Sequence, residues 1–452
     1  MYVSRVHSMY KIQLMVILLL ALGVYFVIPS KGEVSMPLFY GCFGVMLLSN
    51  YIYFKAKKKE NYLDFDSIFI LIYCLVGFST TFFYFDYDIF RAIFLNFPVD
   101  EEYINRGNIL FLIGLLAYML GSMRTVRVKK VERKRRIINT NFLIILVFCF
   151  IAAFIAFGGI DHYRTHYNTS LQKVENPIVV YILLLLVTVA MVLIGTEFYN
   201  KKINDEYKIS KLSFVALFFI IGILLFIGNR TAASQILLPI ICLYTLFFRN
   251  IDFKKFLIFV GVGIPFMWLF QQIRSGADKF ELTNPIMIIL DLTIPMRNTY
   301  AALDYVSAYD HTYGESMLIS IFGTIPFMAS FLVETFPQMP LGSAELLTDY
   351  THSRAGTPDN FQIGLGTTIV ADIYLAFGLV GILLLMYFMG YMVNRWLVKS
   401  RQLNYYSIII LCAVLGNAIF LVRAGYFHAF RFMVWAVVLA SINILLQRKW
   451  RR

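Results

Sequence analysis

The chain has 452 residues, of which 59% are hydrophobic and only 15% charged, and its mean hydropathy is +0.71. A soluble domain carries about 25% charge, so that class is excluded, and the long unbroken apolar runs exclude the alternating pattern of a membrane β-barrel. The formal charge of +13 comes from lysines and arginines gathered in loops on one side of the apolar segments, so it reports topology and not nucleic-acid binding.

Spanning a bilayer takes about 20 apolar residues. This predicts helices over 12–29, 37–54, 66–85, 107–123, 140–158, 177–199, 211–228, 232–248, 256–270, 367–391, 405–422 and 431–446. Twelve such spans place Lys55 to Lys59, Arg124 to Arg136, Lys201 to Lys211, Arg249 to Lys255, Arg395 to Arg401 and Arg448 to Arg452 on one face. By the positive-inside rule that face is cytoplasmic, and both termini lie there. The expected class is therefore an all-α polytopic membrane protein of about 12 transmembrane helices. Residues 1–270 carry spans one to nine, 271–366 form a long outward loop or lobe with room for re-entrant or amphipathic helices, and 367–452 carry the last three. No small-residue cleavage site follows the first span, which is expected to be a retained helix and not a signal peptide. Cys42, Cys74, Cys149, Cys242 and Cys412 fall inside spans and read as packing residues. The run from Arg124 to Arg136 reads as a topogenic signal held against anionic headgroups.

The stretch Gln271 to Gly366 is too long for an ordinary connection and too apolar and aromatic for disorder. It is expected to be the working surface, with a less polar middle from Ser316 to Val333. The outward arginines carry the most information. Arg230 lies in the short turn GNRTAASQ, where Gly228 and Asn229 suit a tight turn and Thr231 or Ser234 could cap the next helix. Arg274 follows span nine, Arg297 follows Pro295, and Arg423 follows span eleven with Arg431 two turns on. Guanidinium forks from separate loops suit a diphosphate, although arginines at helix ends also snorkel to headgroups. Arg354 and the aromatic residues Tyr300, Tyr305, Tyr309, Tyr313, Tyr350 and Phe361 crowd the same face. They suit either sugar stacking or an interfacial belt. Asp372 sits about one turn into span ten, where a carboxylate reads as a base or as an arginine's partner. His311 and His428 are outward histidines, and His162 and His166 stand four apart beside Asp161 without a convincing metal pattern. No nucleophile elbow or phosphate-binding loop occurs. A central transport cavity is disfavoured because intramembrane charge is scarce on the inner half.

Three segments carry a resemblance: GNRTAASQILLPI (Gly228–Ile240), GLGTTIVADIYLAFGLVG (Gly364–Gly381) and LVRAGYF (Leu421–Phe427). With the topology of many helices and one late outward loop, the chain resembles bacterial oligosaccharide repeat-unit polymerases of the Wzy type. O-antigen ligases share the plan but place a histidine early in the glycine-bearing span, where this chain has Thr367. The resemblance implies glycosyl transfer at the periplasmic face of the bacterial inner membrane. It implies a growing glycan on undecaprenyl diphosphate as donor and a lipid-linked repeat unit as acceptor. Arg230, Arg274 and Arg423 would bind the diphosphate without a metal or other cofactor. Asp372 or His311 would take the acceptor proton, and Arg297, Tyr300 and Tyr313 would orient sugars. The partners implied are the undecaprenyl-diphosphate-linked glycan and membrane lipids, with a chain-length regulator and a flippase as candidates. A ligase or a lipid-linked glycan flippase is the alternative.

Overall fold

The computed structural model describes residues 2–80, 100–126, 136–168, 176–275, 292–336, 339–340, 342–355 and 364–449. Among these residues there are seventeen α-helices and no strand. In chain order they are α1 (Tyr2–Val27), α2 (Met36–Ala56), α3 (Phe65–Gly77), α4 (Ile104–Ser122), α5 (Asn141–Ala156), α6 (Gly159–Asn168), α7 (Pro177–Ile203), α8 (Lys211–Phe226) and α9 (Arg230–Phe247). There follow α10 (Phe253–Ser275), α11 (Arg297–Tyr309), α12 (Glu315–Phe322), α13 (Met328–Thr335), α14 (Ser343–Ala355), α15 (Ile369–Arg401), α16 (Tyr405–Gly416) and α17 (Phe430–Lys449). Each segment expected to span falls on one of these helices. Seven are long and apolar enough to cross a bilayer: α1, α2, α4, α7, α9, α15 and α17. Four shorter apolar helices, α3, α5, α8 and α16, accompany them. The far end of the third expected span, most of the Arg124–Arg136 run, and Phe361 lie outside the described residues.

Helix starts follow from local chemistry. Asp64, Asn176, Asn229, Thr368 and Asn404 each accept a backbone N–H of the first turn that has no intrahelical partner. The centre of the bundle is the crossing of α4 and α15. A Cβ at Gly121 would collide with the Tyr387 carbonyl, and one at Gly390 with the Tyr118 carbonyl. Such close backbone approach is how helices associate where lipid supplies no hydrophobic drive. Gly390→Leu is therefore expected to separate the pair and sharply reduce folded protein, read as monodisperse yield after detergent extraction. A wild-type yield would mean that the crossing does not hold the bundle together.

The lysine-rich end is locked by polar networks. Asp66 accepts from Tyr118 at 2.5 Å, from Tyr53 at 2.9 Å and from Lys57 at 2.6 Å. Lys57 also reaches the Ser122 hydroxyl at 2.6 Å. Together these tie α2, α3 and α4 with the buried charge fully matched. Glu197 likewise accepts from Tyr207 at 2.7 Å and from Ser213 at 2.5 Å.

The opposite end carries a helical lobe. The less polar middle expected over 316–333 is a short hairpin, α12 and α13. The first eight residues of α11, Arg297 to Asp304, are all buried, because α11 packs on α15 and α14 and also touches α4. Asp304 is the hub of the outer surface. It accepts from Arg354 at 2.6 Å, from Tyr103 at 3.2 Å and from Tyr350, with Lys31 at 3.5 Å. Arg354 bridges on to Asp100 at 2.6 Å, and Lys31 to Glu102 at 2.8 Å. These contacts fasten α11 and α14 to the loops that precede α2 and α4.

Candidate active site

Arg230 opens α9. Gly228 turns the chain at φ +79°, in the left-handed region that glycine adopts without strain. The cap is Asn229, whose side chain accepts the Ala232 amide at 3.0 Å, and not Thr231 or Ser234. The Ser234 hydroxyl donates to the Thr231 carbonyl instead. The helix then meets α16. Gln235 donates to Asn417 at 2.8 Å, and a Cβ at Gly416 would lie 2.5 Å from the Gln235 carbonyl. Beyond Asn417 the chain makes a 3₁₀ turn, Phe420–Arg423. Arg230 and Arg423, both half-buried, therefore leave the same end of one tightly packed helix pair. Arg274 is in the last turn of α10, and its side chain lies outside the described residues.

Under the lobe, Arg297 is buried, and burial pulls its guanidinium down to about 10 against the opposing pull of the Asp100 carboxylate. Tyr300 corrects an expectation. Its hydroxyl reaches Thr80 at 3.4 Å, its ring lies where a Cβ on Gly107 would sit 2.7 Å away, and it has no exposed surface. It is a core residue joining α11 to α4 and offers no face to a sugar. Tyr313 is 72% exposed and donates to Asp310 at 3.0 Å. The open aromatic platform is formed by Tyr305, Tyr309 and Tyr350, with ring centroids 5.1 to 6.1 Å apart.

The start of α15 holds both expected proton acceptors. Thr368 caps the helix through the Ala371 amide and meets the Thr299 hydroxyl at 2.8 Å. Asp372 is 3% exposed. Its Oδ2 accepts the Tyr426 amide at 2.7 Å, so its partner is a backbone group of the last connection and not an arginine. A turn further on the helix breaks at Gly378, with φ +63° and ψ −153°. The break withdraws the amides that would serve the carbonyls of Tyr374 and Leu375, and the lobe replaces them. His311 Nδ1 donates to the Tyr374 carbonyl at 3.0 Å, and the Thr312 amide donates to the Leu375 carbonyl at 2.9 Å. The His311 ring rests against Gly378, where a Cβ would lie 2.9 Å from Cε1. Because a carbonyl only accepts, Nδ1 carries the proton, and in the neutral ring Nε2 keeps its lone pair. Gly378→Ala is expected to cost about 1–3 kcal/mol through its glycine-only backbone and to displace His311. The readouts are a lower Tm of the purified protein and loss of long glycan chains.

His428 and Arg431 adjoin this region. Burial, then the charge of Arg431, pulls the His428 imidazole down to about 4. The Asp161, His162 and His166 grouping lies on α6, and among the described residues no group of three metal-ligating side chains forms. Sequence reasoning missed the Asp304 hub, although its acids and Arg354 were visible. It also missed the Gly378 break, for which the only signal is one glycine among several in the span.

The family described as O-antigen polysaccharide polymerase Wzy matches residues 1–450. No curated protein and no solved structure matches the chain. The helices and the match together make it a multi-pass membrane protein of polysaccharide biosynthesis, acting on lipid-linked oligosaccharide repeat units. With nearly its whole length inside the match, the chain belongs to the Wzy family of O-antigen polysaccharide polymerases.

Proposed function

We propose that the chain extends O-antigen or capsular glycan at the periplasmic face of the inner membrane, as a twelve-span protein with both termini cytoplasmic and its 271–366 lobe outward. The donor is the growing glycan on undecaprenyl diphosphate, and the acceptor is one lipid-linked repeat unit. The acceptor hydroxyl oxygen attacks the donor's anomeric carbon as the bond from that carbon to the diphosphate oxygen breaks. The electron pair leaves with the diphosphate, and the acceptor proton passes to His311 Nε2. Arg230 and Arg423, joined by Arg274, stabilise the departing charge, a role guanidinium groups fill without a cation. The tyrosine platform and Tyr313 orient sugars beside Arg297. Asp372 positions the connection that carries Arg423.

The observation that carries this reading is the common exit of Arg230 and Arg423 from the α9–α16 pair, at the end where the lobe closes on α15. Deleting the gene tests it through the surface glycan. Single capped repeat units are expected. Long lipid-linked chains with none attached would indicate a ligase, units stranded on the inner leaflet a flippase, and full ladders would remove the polymerase reading.

A further inference from the structure

Two lipid diphosphates must meet in such a reaction, yet the helix pair bearing Arg230 and Arg423 serves only the one that leaves. A separate cation stands on α17. Arg431 makes no ion pair with any carboxylate among the described residues, and its guanidinium lies over the Trp435 ring at 5.9 Å. The turn of the α12–α13 hairpin covers it. Trp435 donates to the Thr324 carbonyl at 2.6 Å, and a Cβ at Gly323 would fall 2.5 Å from Arg431 Nη2. Beside it, the Nε2 of His428 is buried without a hydrogen-bond partner. A half-buried guanidinium and an unmatched buried imidazole atom, with no acid to neutralise the pair, make an arrangement that an anion would complete.

The same helix face continues as an apolar track. Positions 431, 435, 438, 442 and 445 recur at helical spacing on one side of α17. Below Trp435 the residues Val438, Ile442 and Leu445 are exposed. Exposed apolar side chains on a membrane helix face lipid tails. At the head of the track, Phe327 of the hairpin is exposed and packs on Tyr181 at 5.4 Å, and its amide is held by the Tyr181 hydroxyl at 3.3 Å.

We propose that Arg431 and His428 form a second phosphate site, which holds the diphosphate of the polyprenyl-linked acceptor while its isoprenoid chain lies along Val438, Ile442 and Leu445. The assignment rests on the polymerase reading and adds the seat of the second substrate to it. No bond is made or broken there. The acceptor keeps its diphosphate, which is why this site lies apart from the arginines that receive a leaving group.

The test uses the full chain in nanodiscs with undecaprenyl diphosphate as probe, counted by native mass spectrometry. Wild type is expected to retain two probe molecules per chain, Arg431→Gln one, Arg230→Ala one, and the double variant none. His428→Gln is expected to keep both molecules but to weaken one of them about tenfold. Excess phosphatidylglycerol separates the two sources of a lipid phosphate: if it displaces the second molecule at equal concentration, the site takes any headgroup and the assignment falls. Unchanged stoichiometry in Arg431→Gln, with one molecule lost in Arg230→Ala, overturns this site alone. No retention by wild type overturns the polymerase reading with it. Should Arg431→Gln fail to fold, a benzoylphenylalanine cross-linker in place of Val438 in the otherwise wild-type chain is expected to capture the radiolabelled probe. Capture of phosphatidylglycerol alone would refute the track.

Discussion

Arg230→Ala and Arg423→Ala are each expected to abolish chain extension while the protein stays at its wild-type level in the membrane. Both side chains leave the α9–α16 pair after its packing is complete. Gln235, Asn417 and Gly416 hold the two helices together, and Asn229 caps α9 whatever residue follows it. Removing a guanidinium that stabilises a leaving diphosphate should cost about 10²–10³ in rate, the range found when one preorganised donor is removed from a developing anion. Arg230→Lys should also lose most activity, because an ammonium cannot form the bidentate pair. Surface glycan run as a ladder, with membrane protein level measured alongside, reads the result. Normal ladders in either alanine variant would remove that residue from the mechanism.

The second large effect separates two candidate bases. His311→Asn keeps an amide near Nδ1 that can still donate to the Tyr374 carbonyl, but it has no basic nitrogen. Extension should fall about 10²–10⁴-fold, the usual worth of a positioned acid–base group, with little change in Tm. Asp372→Asn should behave differently. Its carbonyl oxygen can still accept the Tyr426 amide, so activity should stay within about tenfold of wild type. Asp372→Ala leaves that amide unmatched, at a cost of about 1–3 kcal/mol, and should lower Tm. An inactive Asp372→Asn variant of wild-type stability would move the base role from His311 to Asp372.

The sequence shows some of these features and hides others for identifiable reasons. The helical segments are plain because a bilayer requires about 20 apolar residues in a row, and lysine clusters mark one end. Arg230 is visible because Gly228 and Asn229 leave it on a turn of very few residues. Tyr300 misleads. An aromatic in an outward lobe suits a sugar equally well, and only the space at Gly107 reveals that its ring fills the core. Asp372 is conspicuous, yet its partner is a backbone amide 54 residues away, which no side-chain pattern announces. Arg431 reads as an ordinary interfacial anchor until the absence of an acid and the overlying hairpin turn are seen together.

The clasp between the lobe and the broken helix sets how the protein can breathe. Lifting Asp310–Gly314 away exposes the carbonyls of Tyr374 and Leu375 at a level where water is scarce, at about 1–3 kcal/mol for each acceptor left bare. The lobe therefore rests shut and opens only briefly, and an arriving unit must offer enough contact to offset the opening. The Thr312 amide, which donates to Leu375, is the natural reporter. Its hydrogen exchange should be slow in the resting protein and should quicken in Gly378→Ala, where the latch loses its seat.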